Sequence, residues 1–104
     1  MKKILLDENL PHRLRHSFAE YEVITTKFAG WGGLTNGELI VKADGGFDIL
    51  LTGDQNLRYQ QNVMGRRIAI VELPSNDIRE LTPLIPKIRE AIESITPNTF
   101  LSIE

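Results

Sequence analysis

Three carboxylates raise the first chemical question: Asp7 in KKILLDEN, Glu38 in GLTNGELI and Asp54 in FDILLTGDQN. Each aspartate follows an apolar run, and an acid just past the carboxyl end of a buried strand lies where open α/β sheets keep their ligands. Acids from distant parts of the chain, with Glu8 beside Asp7, repel one another on a shared edge unless a cation joins them. Oxygen ligands alone select hard ions such as Mg²⁺ or Mn²⁺. An ion held in this way lowers the pKa of a bound water and neutralises charge growing on a phosphate oxygen. That is the chemistry of phosphodiester hydrolysis, and it requires no Ser, Cys or His nucleophile.

Each of these residues also has a plainer explanation. Asp54 could cap a following helix, Asp7 could fix the turn out of its strand, and Glu38 fits a capping box opened by Thr35. Joint placement at one edge is what favours the site. Asn9 and Asn56 each lie two positions after a strand-end aspartate. Either could orient a carboxylate or bind metal-held water, although Asn also favours turns. Together with Glu8 and with Thr52, which ends the central run, they form a supporting set. His12 and His16 have the spacing of a zinc pair, but no third ligand is in view, so a solvated helix face is the better account. Arg13 and Arg58 follow carboxyl ends of strands and could reach a phosphate. Trp31, in the glycine-rich segment TKFAGWGGL, could stack on a base, cover a partner surface or pack over the sheet edge.

The elements that must position these groups alternate in type. Residues 2–6 (KKILL) read as a first strand, followed by a helix of about 10 residues whose stripe is Leu10, Leu14 and Phe18, with Pro11 in its first turn. Residues 21–25 (YEVIT) have the β-branched content of a second strand. The box from Thr35 to Glu38 opens a second helix, and Asp44-Gly45-Gly46 ends it. The unbroken run Ile49, Leu50, Leu51 reads as a strand buried on both faces. A short helix over residues 57–62 and a strand over 67–73 (RIAIVEL) follow. Ile78, Leu81, Ile85, Ile88, Ile92 and Ile95 share one helical face. Pro83 and Pro86 fit that helix if it starts at a Thr82 cap. Residues 99–103 add an edge strand.

Strands alternating with helices specify an α/β fold: one domain over residues 1–104, a three-layer sandwich with a mainly parallel sheet of four or five strands and helices on both faces. All strand-to-helix junctions then open on one edge. A chain of 104 residues can bury a single core unaided. With 41% apolar and 25% charged residues it is not a disordered composition. The absence of cysteine excludes disulfides and thiol catalysis. The first strand leaves no room for a signal peptide and no run approaches a membrane span, so a soluble cytoplasmic protein without a membrane partner is expected. A net charge of −2 is not that of a generic polyanion binder, so contact with nucleic acid must be local.

The phrases ILLDENLPHRLR, GWGGLTNGEL, FDILLTGDQNLRYQQN and GRRIAIVEL, in this order, resemble the small bacterial PIN-like proteins related to VapC-type toxins. The resemblance extends to about residue 95. It implies a PIN-like fold, Mg²⁺ or Mn²⁺ dependence, endoribonuclease activity on RNA, a small antitoxin partner and, as a family-based expectation, a homodimer. By motif, Asp7, Glu38 and Asp54 become the catalytic and metal-binding acids, with Asn9 in the D-x-N pattern. The further acid common after the T-x-D aspartate is replaced here by Gln55 and Asn56. A PIN shape that binds RNA or protein without turnover is therefore a second reading. A receiver-like phosphoacceptor domain, with Asp7, Glu8 and Asp54 in its acidic positions, is a third.

Overall fold

The computed structural model describes residues 2–55 and 65–104, and of Asn36 the backbone alone. Five short strands form a single sheet: β1 (Lys3–Leu6), β2 (Glu22–Thr25), β3 (Ile49–Thr52), β4 (Ala69–Glu72) and β5 (Phe100–Ser102). Their order is β2-β1-β3-β4-β5 and every pairing is parallel. The expected α/β class is thus what forms. The edge strand anticipated near the end of the chain is β5, and the helix expected over residues 57–62 lies outside the described residues.

Alternation along each strand divides the core into two parts. Ile4, Leu6, Ile49, Leu51, Ala69 and Val71 meet Leu14, Phe18, Leu81, Ile88 and Ile92 on one face. Leu5, Leu50 and Ile70 meet Leu39, Ile40 and Ala43 of helix α1 (Asn36–Ala43) on the other. Strands covered on both faces need apolar residues at consecutive positions, which is why ILL appears twice in the sequence. Among the described residues, no helix is long and apolar enough to cross a membrane.

The first helix departs from expectation. His12–Phe18 is a 3-10 helix preceded by Pro11 as its cap, without a side-chain capping bond. The bond from Leu14 N–H to Pro11 O spans three residues, setting the tighter winding from the start. Leu14 and Phe18 are nonetheless buried as their spacing requires.

The carboxyl-terminal helical segment starts before the expected Thr82 cap. Asp77 caps α2 (Ile78–Leu81) by accepting from Arg79 N at 2.9 Å. A 3-10 turn (Thr82–Leu84) and α3 (Ile85–Ser94) follow, with Pro83 and Pro86 in their respective first turns. Proline cannot donate the i→i−4 bond, so each one restarts the winding while the isoleucine face stays on the sheet.

The helix His12–Phe18 and α3 share a face: Arg89 on α3 donates to Ser17 O and lies over the Phe18 ring. Their connections, β1 to β2 and β4 to β5, run toward opposite edges of the sheet. Two crossovers on one face with opposite directions have opposite hands. The β2-to-β3 connection, through α1 on the other face, has the hand of the first, so the α3 crossover is opposite in hand to these two, whereas such folds are expected to keep a single hand.

Candidate active site at the carboxyl edge of the sheet

An all-parallel sheet delivers every strand's carboxyl end to one edge. In the order β2-β1-β3-β4-β5 the chain leaves β1 toward one side and β3 toward the other, so the topological switch point lies between those two strands. A crevice at that point is where doubly wound sheets bind ligands. Asp7 follows β1 and Asp54 follows β3 by two residues, so the two aspartates stand at the exits of the two strands that flank it.

Thr52 links them. Its hydroxyl donates to Asp7 Oδ2 at 2.8 Å and accepts from Asp54 N at 3.1 Å. Asn9 closes the loop from the other side by accepting Gly53 N–H on Oδ1 at 3.1 Å. The fit there is close, because a Cβ at position 53 would lie 3.1 Å from Leu10 Cδ2. The supporting roles expected for Thr52 and Asn9 thus take a definite form: both hold the exit of β3 against the exit of β1. Asn56 and Arg58 lie outside the described residues.

Asp7 is 6% exposed. Burial pushes its carboxyl above the ordinary value, opposed by the Thr52 hydroxyl and the backbone N–H groups of Asn9 and Glu8. A carboxylate desolvated in this way gains from a nearby cation.

Two other acids are engaged elsewhere. Glu8 is exposed, and its Oε1 accepts from Gly33 N at 3.1 Å, tying the glycine-rich loop to the end of β1. A Cβ at Gly32 would stand 3.2 Å from Glu8 Oε2, so the loop packs closely on this carboxylate. Glu38 completes a capping box: its carboxylate accepts from Thr35 N and Oγ1, while Thr35 Oγ1 accepts from Glu38 N. Those bonds hold its carboxyl below the ordinary value. The plainer explanation of Glu38 is therefore realised in the structure.

Trp31 packs edge-on against Phe47, with ring centroids 5.8 Å apart, beside the cluster under α1. This contact is of the packing kind among its three alternatives. Arg13 and both histidines are exposed on the 3-10 helix.

The fold also shows a residue that the motifs did not. Asp7, Thr26, Thr52 and Glu72 are the buried polar and charged residues among those described. All four lie in one row. The pairings of Leu6 with Thr25 and with Leu51 place Thr26 and Thr52 on either side of Asp7, and Thr52 pairs directly with Glu72. The row ends at Ser102, which donates to Glu72 Oε1 at 2.7 Å. Thr26 Oγ1 finds no hydrogen-bond partner among the described residues. Five strands thus each carry a polar side chain at the carboxyl end of the α1 face, while the positions two residues before, Leu5, Ile24, Leu50, Ile70 and Phe100, are apolar. The signal for Glu72 was an acid closing the run RIAIVE, the pattern already read at Asp7.

Compared with protein-family models, with curated proteins and with solved structures, the chain gives no match.

The donor set bears on the expected metal. Among the described residues no group of three or more His, Cys, Asp or Glu stands close enough to hold an ion. Mg²⁺, however, takes one or two carboxylates and completes its shell with water and substrate phosphate. Asp7 and Asp54, both oxygen donors at the exits of adjacent strands, match that smaller number of ligands in kind.

Proposed function

We propose that the protein is a PIN-like, Mg²⁺- or Mn²⁺-dependent endoribonuclease, related to toxins of toxin–antitoxin pairs. One observation carries this reading: two aspartates from distant parts of the chain flank the β1/β3 switch point, coupled through a single buried hydroxyl. Asp7 and Asp54 would hold the ion. When bound, it supplies an activated water and charge neutralisation at a phosphate oxygen. Thr52 favours the ionised Asp7 carboxylate and orients it by donating to Oδ2, against the effect of burial, and through the Asp54 N–H it fixes where the second aspartate begins. Asn9 holds Gly53, so the two exits keep their spacing. RNA is the expected substrate, and an antitoxin and a second copy of the chain are the protein partners that the PIN-like resemblance suggests.

Purified protein is expected to cleave RNA with Mn²⁺ or Mg²⁺ and to lose that activity in Asp7→Asn and in Asp54→Asn. Cleavage that persists in EDTA would refute the mechanism. A binding module without turnover is the second reading, favoured by the engagement of Glu38 in its cap and by the missing three-acid group among the described residues. Calorimetry distinguishes the two, since a module without turnover shows no heat of Mn²⁺ binding at millimolar concentration.

A further inference from the structure

We infer that a basic cleft running from Glu8 around the β2 edge to Phe28 is a track for single-stranded RNA, with Phe28 as its stacking platform. The inference rests on the nuclease reading for its polarity, because the inner end of the cleft is Glu8, next to Asp7. Two grooves make up the track. One is lined by Glu8, Arg13 and His16, the other by Val23, Lys27 and Phe28, and His12 and Arg15 belong to both. Across the two linings Arg13, Arg15 and Lys27 stand against Glu8 alone, although the whole chain has a net charge of −2. Cationic charge is therefore concentrated where a phosphodiester chain leaving the acidic site would pass.

Phe28 is 83% exposed, the most exposed large apolar side chain among the described residues. The turn beneath it is tightly bonded: Thr25 Oγ1 accepts from Phe28 N at 3.1 Å, and Ala29 N and Gly30 N donate to Thr25 O and Lys27 O. A ring presented to water on a fixed turn at the end of a basic groove has the form of a single-strand binding platform, which combines backbone charge with base stacking. An acidic peptide added to the β2 edge would also match the cations. Its inner end would meet Asp7 and Glu8 without compensation, whereas a phosphate there would share the ion that Asp7 and Asp54 hold under the nuclease reading. Duplex RNA keeps its bases stacked on one another and cannot use the ring.

The test is fluorescence anisotropy of a short labelled oligoribonucleotide with the full chain in EDTA, where metal-dependent cleavage is suppressed. Phe28→Ala, an exposed substitution verified as folded by circular dichroism, is expected to weaken binding about 5- to 150-fold, the loss of one base stack. The double variant Arg15→Ala/Lys27→Ala is expected to flatten the dependence of log K on log salt by about 1.4, two single-strand phosphates. Equal binding by Phe28→Ala overturns the track. So does equal affinity for a duplex, no binding by the unaltered chain, or a Phe28-dependent dimer or acidic-peptide complex with RNA binding unchanged. If Phe28-sensitive binding is seen and no divalent ion produces cleavage, the nuclease reading fails and the track stands.

Discussion

Replacing Thr52 by valine isolates the coupling at the switch point. The side chains are nearly equal in volume and both are β-branched, so β3 keeps its packing and no cavity opens. What disappears is the donor to Asp7 Oδ2 and the acceptor for Asp54 N–H, in a residue with no exposed surface. A bond to a charged group contributes about 1.5–3 kcal/mol and a neutral one about 0.5–1.5, so the loss should be roughly 2–4 kcal/mol. In a domain of this size that corresponds to a fall in Tm of about 10–25 °C. The sign of the pH dependence follows from Asp7. Its folded pKa lies above the ordinary 3.8 through burial, so this residue's contribution to stability declines as pH rises from 3.8 through the folded pKa. The Thr52 donor opposes that rise, and valine removes the opposition. The cost of the substitution should therefore be greatest above the folded pKa of Asp7 and shrink as pH falls through it. Urea titrations in metal-free buffer at about pH 7 and about pH 3 measure both effects; a loss below about 0.5 kcal/mol, or one equal at the two pH values, refutes the reasoning.

Asp7→Asn should abolish metal-dependent cleavage without lowering stability at neutral pH, because it removes a charge held in a desolvated site; a large destabilisation in urea titration would count against the account of Asp7. Thr26→Val should raise stability by up to about 1 kcal/mol, since it replaces a buried hydroxyl that lacks a partner among the described residues; a lower melting temperature contradicts this. Thr35→Ala should cost about 1 kcal/mol through loss of the α1 cap, read from denaturant melts. In the unaltered chain the Glu38 carboxyl is held low by Thr35, so its support of the cap is present above the ordinary 4.5 and disappears as pH falls through the folded pKa, which NMR titration of the Glu38 side chain would follow.

Much of the fold was legible because one periodicity per segment was enough to choose it. The run Ile49, Leu50, Leu51 could only be a strand covered twice, and Thr35 with Glu38 announced a box that the structure completes. Leu10, Leu14 and Phe18 correctly named the buried stripe but could not distinguish 3-10 from α winding, since a short segment places the same three residues inward in either. Pro83 and Pro86 were read as constraints on a single helix start; the chain instead uses them as two restarts after an Asp77 cap. For the site, Asp7 and Asp54 were visible as acids after apolar runs, whereas Thr26 and Glu72 become neighbours of that pair only once strand register is known. No local pattern encodes register between neighbouring strands, so the acid closing RIAIVE and the threonine after YEVIT could not be placed beside Asp7 and Thr52. The engagement of Glu8 was equally hidden, because its partner is a backbone N–H in a loop 25 residues away.

The row of polar side chains at the carboxyl edge stands apart from the backbone ladder that joins the strands. The ladder between strands is made by backbone groups and continues whatever side chains stand at Thr26, Asp7, Thr52, Glu72 and Ser102. The apolar positions beneath them can remain untouched while the row varies. A combinatorial library that varies Thr26, Asp7, Glu72 and Ser102 and keeps Thr52 for the bonds it makes would explore new surface chemistry on a preserved scaffold, and descent with modification has the same shallow path open to it.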